Sequence, residues 1–333
     1  MYSNIPLWLS VFFMVAGLFL LTWSANRFVD GADAIARSFG ISPFVIGMVI
    51  IGFGTSAPEL AVSVLSAFSG HSDLSLGNAY GSNIFNIAVI LGLVALVKPI
   101  AVKPITVFAA VPMLLAVTVI SGFLVYSGKE FSRMDGLVSL AAFGILLPLY
   151  CHIEKKSGQS SSEEAASGGS APQLRHPWLT VILGLSLLVA SSHFLVWGAV
   201  DFARAIGVSE LLIGVTIVAA GTSLPELASA IASAKKGKHE FVLGNIIGSN
   251  VFNALIVVGA SGLIAPFGNI PSGILYRDFP AMLILTLLIG IFGLNIKKPS
   301  TAGKIGRFAG LIWTLAYAAY CVILIRLECP QNL

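Results

Sequence analysis

The sequence predicts an all-α integral membrane protein: ten transmembrane helices in two inverted five-helix repeats, with helices 2, 3, 7 and 8 broken. Three observations carry this. Apolar residues make up 56% of the 333-residue chain and charged residues 10%, against about 25% charged in a soluble domain. Ten stretches recur along the chain that approach the roughly 20 mostly apolar residues a spanning helix needs. Residues 40–86 also align on 207–253 without a gap, with 23 of 47 positions identical, which marks an internal duplication.

In order, the predicted spans are 6–24, 44–68, 74–97, 105–126, 134–151, 178–200, 210–234, 240–264, 275–295 and 306–326. The first has no basic residue before it and no cleavage pattern, so it is expected to be a span and not a signal peptide. The second, third, seventh and eighth are punctuated by Gly, Pro, Ser and Asn, which predicts breaks within them. Residues 152–177 include a run of Gly, Ser, Gln and Glu that reads as a flexible cytoplasmic linker. It separates a first repeat, 1–151, from a second, 178–333, and is too short for a folded regulatory domain. Five spans per half is an odd number, so the copies should lie antiparallel about a pseudo-two-fold axis in the membrane plane.

The formal charge of +4 reads as topology. With ten spans, one side collects Arg27, Arg37, Lys98, Lys103, Lys155, Lys156, Arg175, Lys235, Lys236, Lys238, Lys297, Lys298, Lys304 and Arg307. The other side has only Lys129, Arg133, Arg204, Arg277 and Arg326. The positive-inside rule then places both termini on the extracytoplasmic side of a plasma (inner) membrane. The bilayer is the expected surrounding, and nothing supports a nucleic-acid partner. Cys151, Cys321 and Cys329 lack metal-like spacing and read as packing residues. Among the five histidines only His193 falls inside a span, where it reads as structural.

The duplication carries two long motifs. Gly54-Thr55-Ser56-Ala57-Pro58-Glu59-Leu60 recurs as Gly221-Thr222-Ser223-Leu224-Pro225-Glu226-Leu227. Each copy places a carboxylate at membrane depth, which is expensive and points to function. Pro58 and Pro225 lack an N–H, so within a helix each would free the carbonyl four residues earlier, at Gly54 and Gly221. A freed carbonyl in lipid needs a partner; a cation is one, and the Ser56 or Ser223 hydroxyl or a water is another. The next span carries Asn78, Ser82 and Asn86 as one polar stripe, repeated as Asn245, Ser249 and Asn253. Such stripes also glue helices together, but that explains less well why both lie beside an acid. Every candidate ligand is an oxygen, which suits a hard cation such as Ca²⁺, Na⁺ or Mg²⁺, of which Mg²⁺ dehydrates reluctantly. Two ionised glutamates balance one Ca²⁺ or two Na⁺.

At these residues the sequence resembles the cation/calcium antiporter superfamily, and within it the prokaryotic sodium/calcium exchangers. The resemblance implies ten helices, exchange of Ca²⁺ for Na⁺ by alternating access, no cofactor and no enzymatic activity. It implies Glu59 and Glu226 as central Ca²⁺ ligands, completed by the Thr55 and Thr222 carbonyls. It implies that Ser56, Ser82, Asn86, Ser223, Ser249 and Asn253 line flanking Na⁺ sites, and that helices 1 and 6 slide across a rigid core. One position departs from the pattern: the counterpart of Asn253 is often Asp in that family. The sodium stoichiometry is therefore open, as is coupling to H⁺ or K⁺. An intramembrane hydrolase using Ser56 or Ser223 lacks a general base at helical spacing.

Overall fold

The computed structural model describes residues 6–328 apart from 71, 128–129, 158–173, 209–216, 218, 269 and 296–297. The described residues are mostly helical. Eight described helices are long and apolar enough to cross a membrane, or nine spans if one bent pair counts as a span. The helices are α1 (Leu7–Phe39), the bent pair α2 (Pro43–Thr55) and α3 (Ala57–Phe68), α4 (Leu74–Val97), α5 (Thr106–Tyr126) and α6 (Arg133–Lys156). They continue with α7 (Pro177–Ala205), α8 (Leu224–Lys235), α9 (His239–Ile264), α10 (Ile274–Gly293) and α11 (Arg307–Leu324).

Local chemistry sets the ends. α1 stops at Gly40, whose φ of 62° suits glycine, and the Ile41 N–H closes the last turn on the Ala36 carbonyl at 3.0 Å. α6 opens with a capping box: the Ser132 N–H donates to Asp135 Oδ2 at 2.8 Å, and the Asp135 N–H donates to Ser132 Oγ at 3.3 Å.

The helices sort into a core and a periphery. The share of the apolar window buried inside the protein is 89% for α9 and 67% for α4, but 22% for α1 and 28% for α7. On α1, Trp8, Phe12, Val15 and Phe19 face outward, as lipid-facing residues should. α1 and α7 pack on each other through glycines. A Cβ on Gly17 would lie 2.8 Å from the Leu195 N, and one on Gly184 would lie 2.9 Å from the Phe28 Cα. Moving up one helix moves down the other, so the two are antiparallel.

Four features differ from the sequence expectation. α1 continues well past residue 24, because Asp30, Asp33 and Arg37 find ion-pair partners and the charged stretch stays helical. Helices 3 and 8 were expected to be broken, but α4 and α9 are continuous. The motif instead leads into a π-helical turn in each, Asn86–Leu91 and Asn253–Val257. In α9 the glycines let a neighbour close in, since a Cβ on Gly244 or Gly248 would run into the Phe44 or Met48 backbone of α2. Residues 152–156 belong to α6 and not to the linker, most of which lies outside the described residues. Most of 210–218 in the expected seventh span lies outside them too. Two short antiparallel pairs, which were not expected, tie loops together: Ile100–Val102 with Gly303–Ile305, and Glu130–Phe131 with Phe267–Gly268.

Candidate ion-binding site

The first motif forms a corner. α2 and α3 meet at 44°, with Ser56 between them at φ −82° and ψ 6°. Pro58 does not sit mid-helix. It is in the first turn of α3, where no N–H is needed. The Ser56 N–H reaches the Gly52 carbonyl at 3.1 Å and the Leu60 N–H reaches the Ser56 carbonyl at 3.2 Å. Between them Pro58 offers no N–H to the Gly54 carbonyl, which instead accepts a backbone N–H at the corner. The second copy begins α8 the same way, with Ser223 at φ −89° and ψ 8° and Pro225 in the first turn. Glu59 and Glu226 thus each occupy the first turn of a half-helix, where the positive end of the helix dipole favours a carboxylate.

The two copies interlock. The Ser223 hydroxyl donates to Glu59 Oε1 at 3.0 Å, and the Ser56 hydroxyl donates to Glu226 Oε1 at 2.8 Å. Both acids are buried, 0% and 1% exposed. The serine hydroxyls therefore do not back-bond within their own corners; each reaches across to the opposite acid. The second oxygens, Glu59 Oε2 and Glu226 Oε2, have no hydrogen-bond partner among the described residues.

The remaining predicted residues lie in the same buried region and divide in two. Thr55 donates its hydroxyl to the Ile51 carbonyl at 2.9 Å and to Asn245 Oδ1 at 3.3 Å, and Ser249 donates to the Gly52 carbonyl at 3.1 Å. Asn86 donates to Asn250 Oδ1 at 3.0 Å, which leaves its own Oδ1 unpartnered. Asn253 has neither side-chain amide atom paired among the described residues. Ser82 is buried and Thr222 half-buried. Ser82, Asn86, Ser249 and Asn253 make no direct hydrogen bond to either glutamate among the described residues. His193 is exposed on α7, Cys151 and Cys321 are free thiols, and Cys329 lies outside the described residues.

Two pairs carry contacts that the sequence reading did not assign. Asn83 Nδ2 donates to the Asn250 carbonyl at 3.1 Å, and Asn250 Nδ2 donates back to the Asn83 carbonyl at 3.3 Å, joining α4 to α9. Asn78 and Asn245 hold the main-chain carbonyls of Glu59 and Glu226, each at 3.1 Å. The signal was present, since all four asparagines repeat at the same offset of 167.

A buried polar atom without a partner costs about 1–3 kcal/mol, more when charged. Here two carboxylate oxygens and the amide oxygens of Asn86 and Asn253 are all of this kind. An all-oxygen set with two negative charges fits a hard cation. Among the described residues no group of three or more His, Cys, Asp or Glu could hold a metal ion, so the charge available is that of the two glutamates.

The family described as sodium/calcium exchanger protein matches residues 9–150 and 176–326. CaxA of Alkalimonas amylolytica, whose name describes it as an antiporter, is 41% identical over 94% of this chain and 97% of its own length. Inner membrane protein YrbG of Escherichia coli is 36% identical over 93% and 95%. Among solved structures, the sodium-calcium exchanger NCX_Mj superposes with a TM-score of 0.79 at 31% identity, covering 96% of this chain and 100% of that one.

Proposed function

Because the chain belongs to the sodium/calcium exchanger protein family, a family of membrane transporters and not enzymes, we propose that this cation antiporter exchanges Ca²⁺ for Na⁺ by alternating access. Ca²⁺ would sit between Glu59 and Glu226, with the Thr55 and Thr222 carbonyls completing its shell. Ser56, Ser82, Asn86, Ser223, Ser249 and Asn253 would line the Na⁺ sites.

The observation that carries this reading is the crossed pair of serine–glutamate hydrogen bonds. Each half of the duplication completes the other half's acid, so one site is built from both. The antiparallel packing of α1 on α7 supports an inverted ten-helix plan with repeats at 1–151 and 178–333 joined by the 152–177 linker. In that plan α1 and α7 slide over the core, and the basic residues put both termini on the extracytoplasmic side.

With Asn at both 86 and 253, the site carries two formal charges. One Ca²⁺ or two Na⁺ would leave it neutral, and a third Na⁺ would leave it at +1. Uptake of ⁴⁵Ca²⁺ into Na⁺-loaded proteoliposomes tests the proposal. Glu59→Gln and Glu226→Gln should each abolish uptake in protein that still elutes as a single species, and near-normal uptake in both would overturn it. Uptake driven by a pH gradient in Na⁺-free vesicles would instead assign the coupling to H⁺.

A further inference from the structure

Among the positions at which the two halves differ, one neighbouring pair exchanges a serine and leaves a contact intact. In the first half, Asn78 Nδ2 donates to the Glu59 carbonyl at 3.1 Å and to the Ser63 hydroxyl at 2.9 Å. At the same offset, Asn245 Nδ2 donates to the Glu226 carbonyl at 3.1 Å. The counterpart of Ser63 is Ala230, which has no hydroxyl, whereas the counterpart of Val62 is Ser229. Asn245 finds that serine at 3.0 Å. The hydroxyl has moved from the fourth residue after the glutamate to the third, and the amide still binds it. Positions three and four along a helix share a face, so either can serve. Ser63, Ser229 and Asn245 are all fully buried. Losing the hydroxyl without replacing it would leave a buried donor short of a partner. Two exchanges that cancel each other mark the contact as the feature retained.

We infer that Asn78 and Asn245 are positioning residues for ion exchange. Each pins the first turn of a glutamate-bearing half-helix to a core helix and fixes the direction from which the carboxylate reaches the site. They do not ligate the ion. Their N–H groups serve a carbonyl and a hydroxyl, and Asn245 Oδ1 accepts from Thr55 at 3.3 Å. That last bond ties α2 to α9, the core helix on which the Glu226 half-helix is pinned. The inference rests on the exchange reading above, so its test carries one readout that does not depend on transport.

Ser229→Ala removes the acceptor of Asn245 and a donor to the Glu226 carbonyl, and should raise the KM for Ca²⁺ about five-fold or more, the effect of one to two net hydrogen bonds, with kcat little changed. Adding Ala230→Ser, which rebuilds the first half's pattern in the second, should bring KM back. Asn245→Ala should raise KM at least as far as Ser229→Ala. In purified protein, amide hydrogen exchange across 224–235 should quicken in both single variants and slow again in the double one. Ser63→Ala, with and without Val62→Ser, repeats the test in the first half should the second-half variants misfold. Failure of the relocated serine to restore either readout would overturn the inference. Absence of Ca²⁺ uptake by the unmodified protein would overturn the exchange reading, while the hydrogen-exchange data would still decide the positioning role.

Discussion

Asn86 and Asn253 occupy equivalent places, each the first residue of a π-helical turn, yet among the described residues only the Asn86 side chain has a hydrogen-bond partner, Asn250. The two halves of the site are alike in sequence and unlike in bonding. A side chain at 253 is therefore freer to meet an ion than its counterpart at 86.

That asymmetry makes Asn253→Asp the informative charge change. With two glutamates alone, exchange of two Na⁺ for one Ca²⁺ moves no net charge. An imposed membrane potential should then leave Ca²⁺ uptake by the unmodified protein unaltered. Asn253→Asp adds a third negative charge and with it room for a third Na⁺, so its uptake should become voltage-dependent. Potassium gradients clamped with valinomycin across proteoliposomes measure both. Voltage-dependent uptake by the unmodified protein would reject the two-charge account.

The crossed serines predict a symmetric loss. Ser56→Ala removes a donor from Glu226, and Ser223→Ala removes one from Glu59. A hydrogen bond to a charged group is worth about 1.5–3 kcal/mol. Each variant should therefore raise the Ca²⁺ concentration for half-maximal uptake by ten-fold or more, and by similar factors. A loss confined to one serine would show that the acids contribute unequally.

Both glutamates, and the corner that carries Glu59, were legible in the sequence. Glu59 and Glu226 stood out because a carboxylate in an apolar run is costly, and the repeat pointed to them twice. The helical nature of α4 and α9 was legible only in part. Gly244, Gly248 and Asn250 look like breakers by propensity, but close packing of α9 against α2 overrides propensity. The bonding of Asn78 and Asn245 to the glutamate carbonyls was not legible, because it depends on how the half-helices dock. The continuation of α1 past residue 24 was missed for a related reason: its acids are stabilised by Lys236 and Lys238, far away in sequence.

Those ion pairs give a third prediction. Lys236 Nζ lies 2.7 Å from Asp30 and donates to the Asn26 carbonyl at 2.8 Å, and Lys238 Nζ lies 2.6 Å from Asp33. They fasten α1 to the loop between α8 and α9. The Lys236 and Asp30 side chains are 24% and 23% exposed, so the pair is worth about 0–1 kcal/mol. Asp30→Lys should change the transport rate by a few-fold, and Asp30→Lys with Lys236→Asp should restore it. The effect should shrink as ionic strength rises. An uncompensated double variant would show that the contact is incidental to transport.

The glycine seam between α1 and α7 gives the last. At Gly184 a Cβ would meet the Phe28 Cα and N, both at 2.9 Å, and these are backbone atoms that cannot swing aside. Gly144 on α6 has nothing within 4 Å of the same added atom. The two helices must therefore separate to admit even a methyl group at 184, and overpacking of this kind costs about 1–3 kcal/mol. Gly184→Ala should lower the midpoint of thermal aggregation, followed by size-exclusion chromatography of detergent-solubilised protein, whereas Gly144→Ala should leave it unchanged or raise it, since alanine is the better helix former. If α1 and α7 slide as a unit, Gly184→Ala should also slow Ca²⁺ turnover, because the clash lies within the moving pair and Phe28 and Leu185 abut Gly54 of the site motif. Equal stability of the two variants would mean that the seam is looser in the membrane than these distances allow.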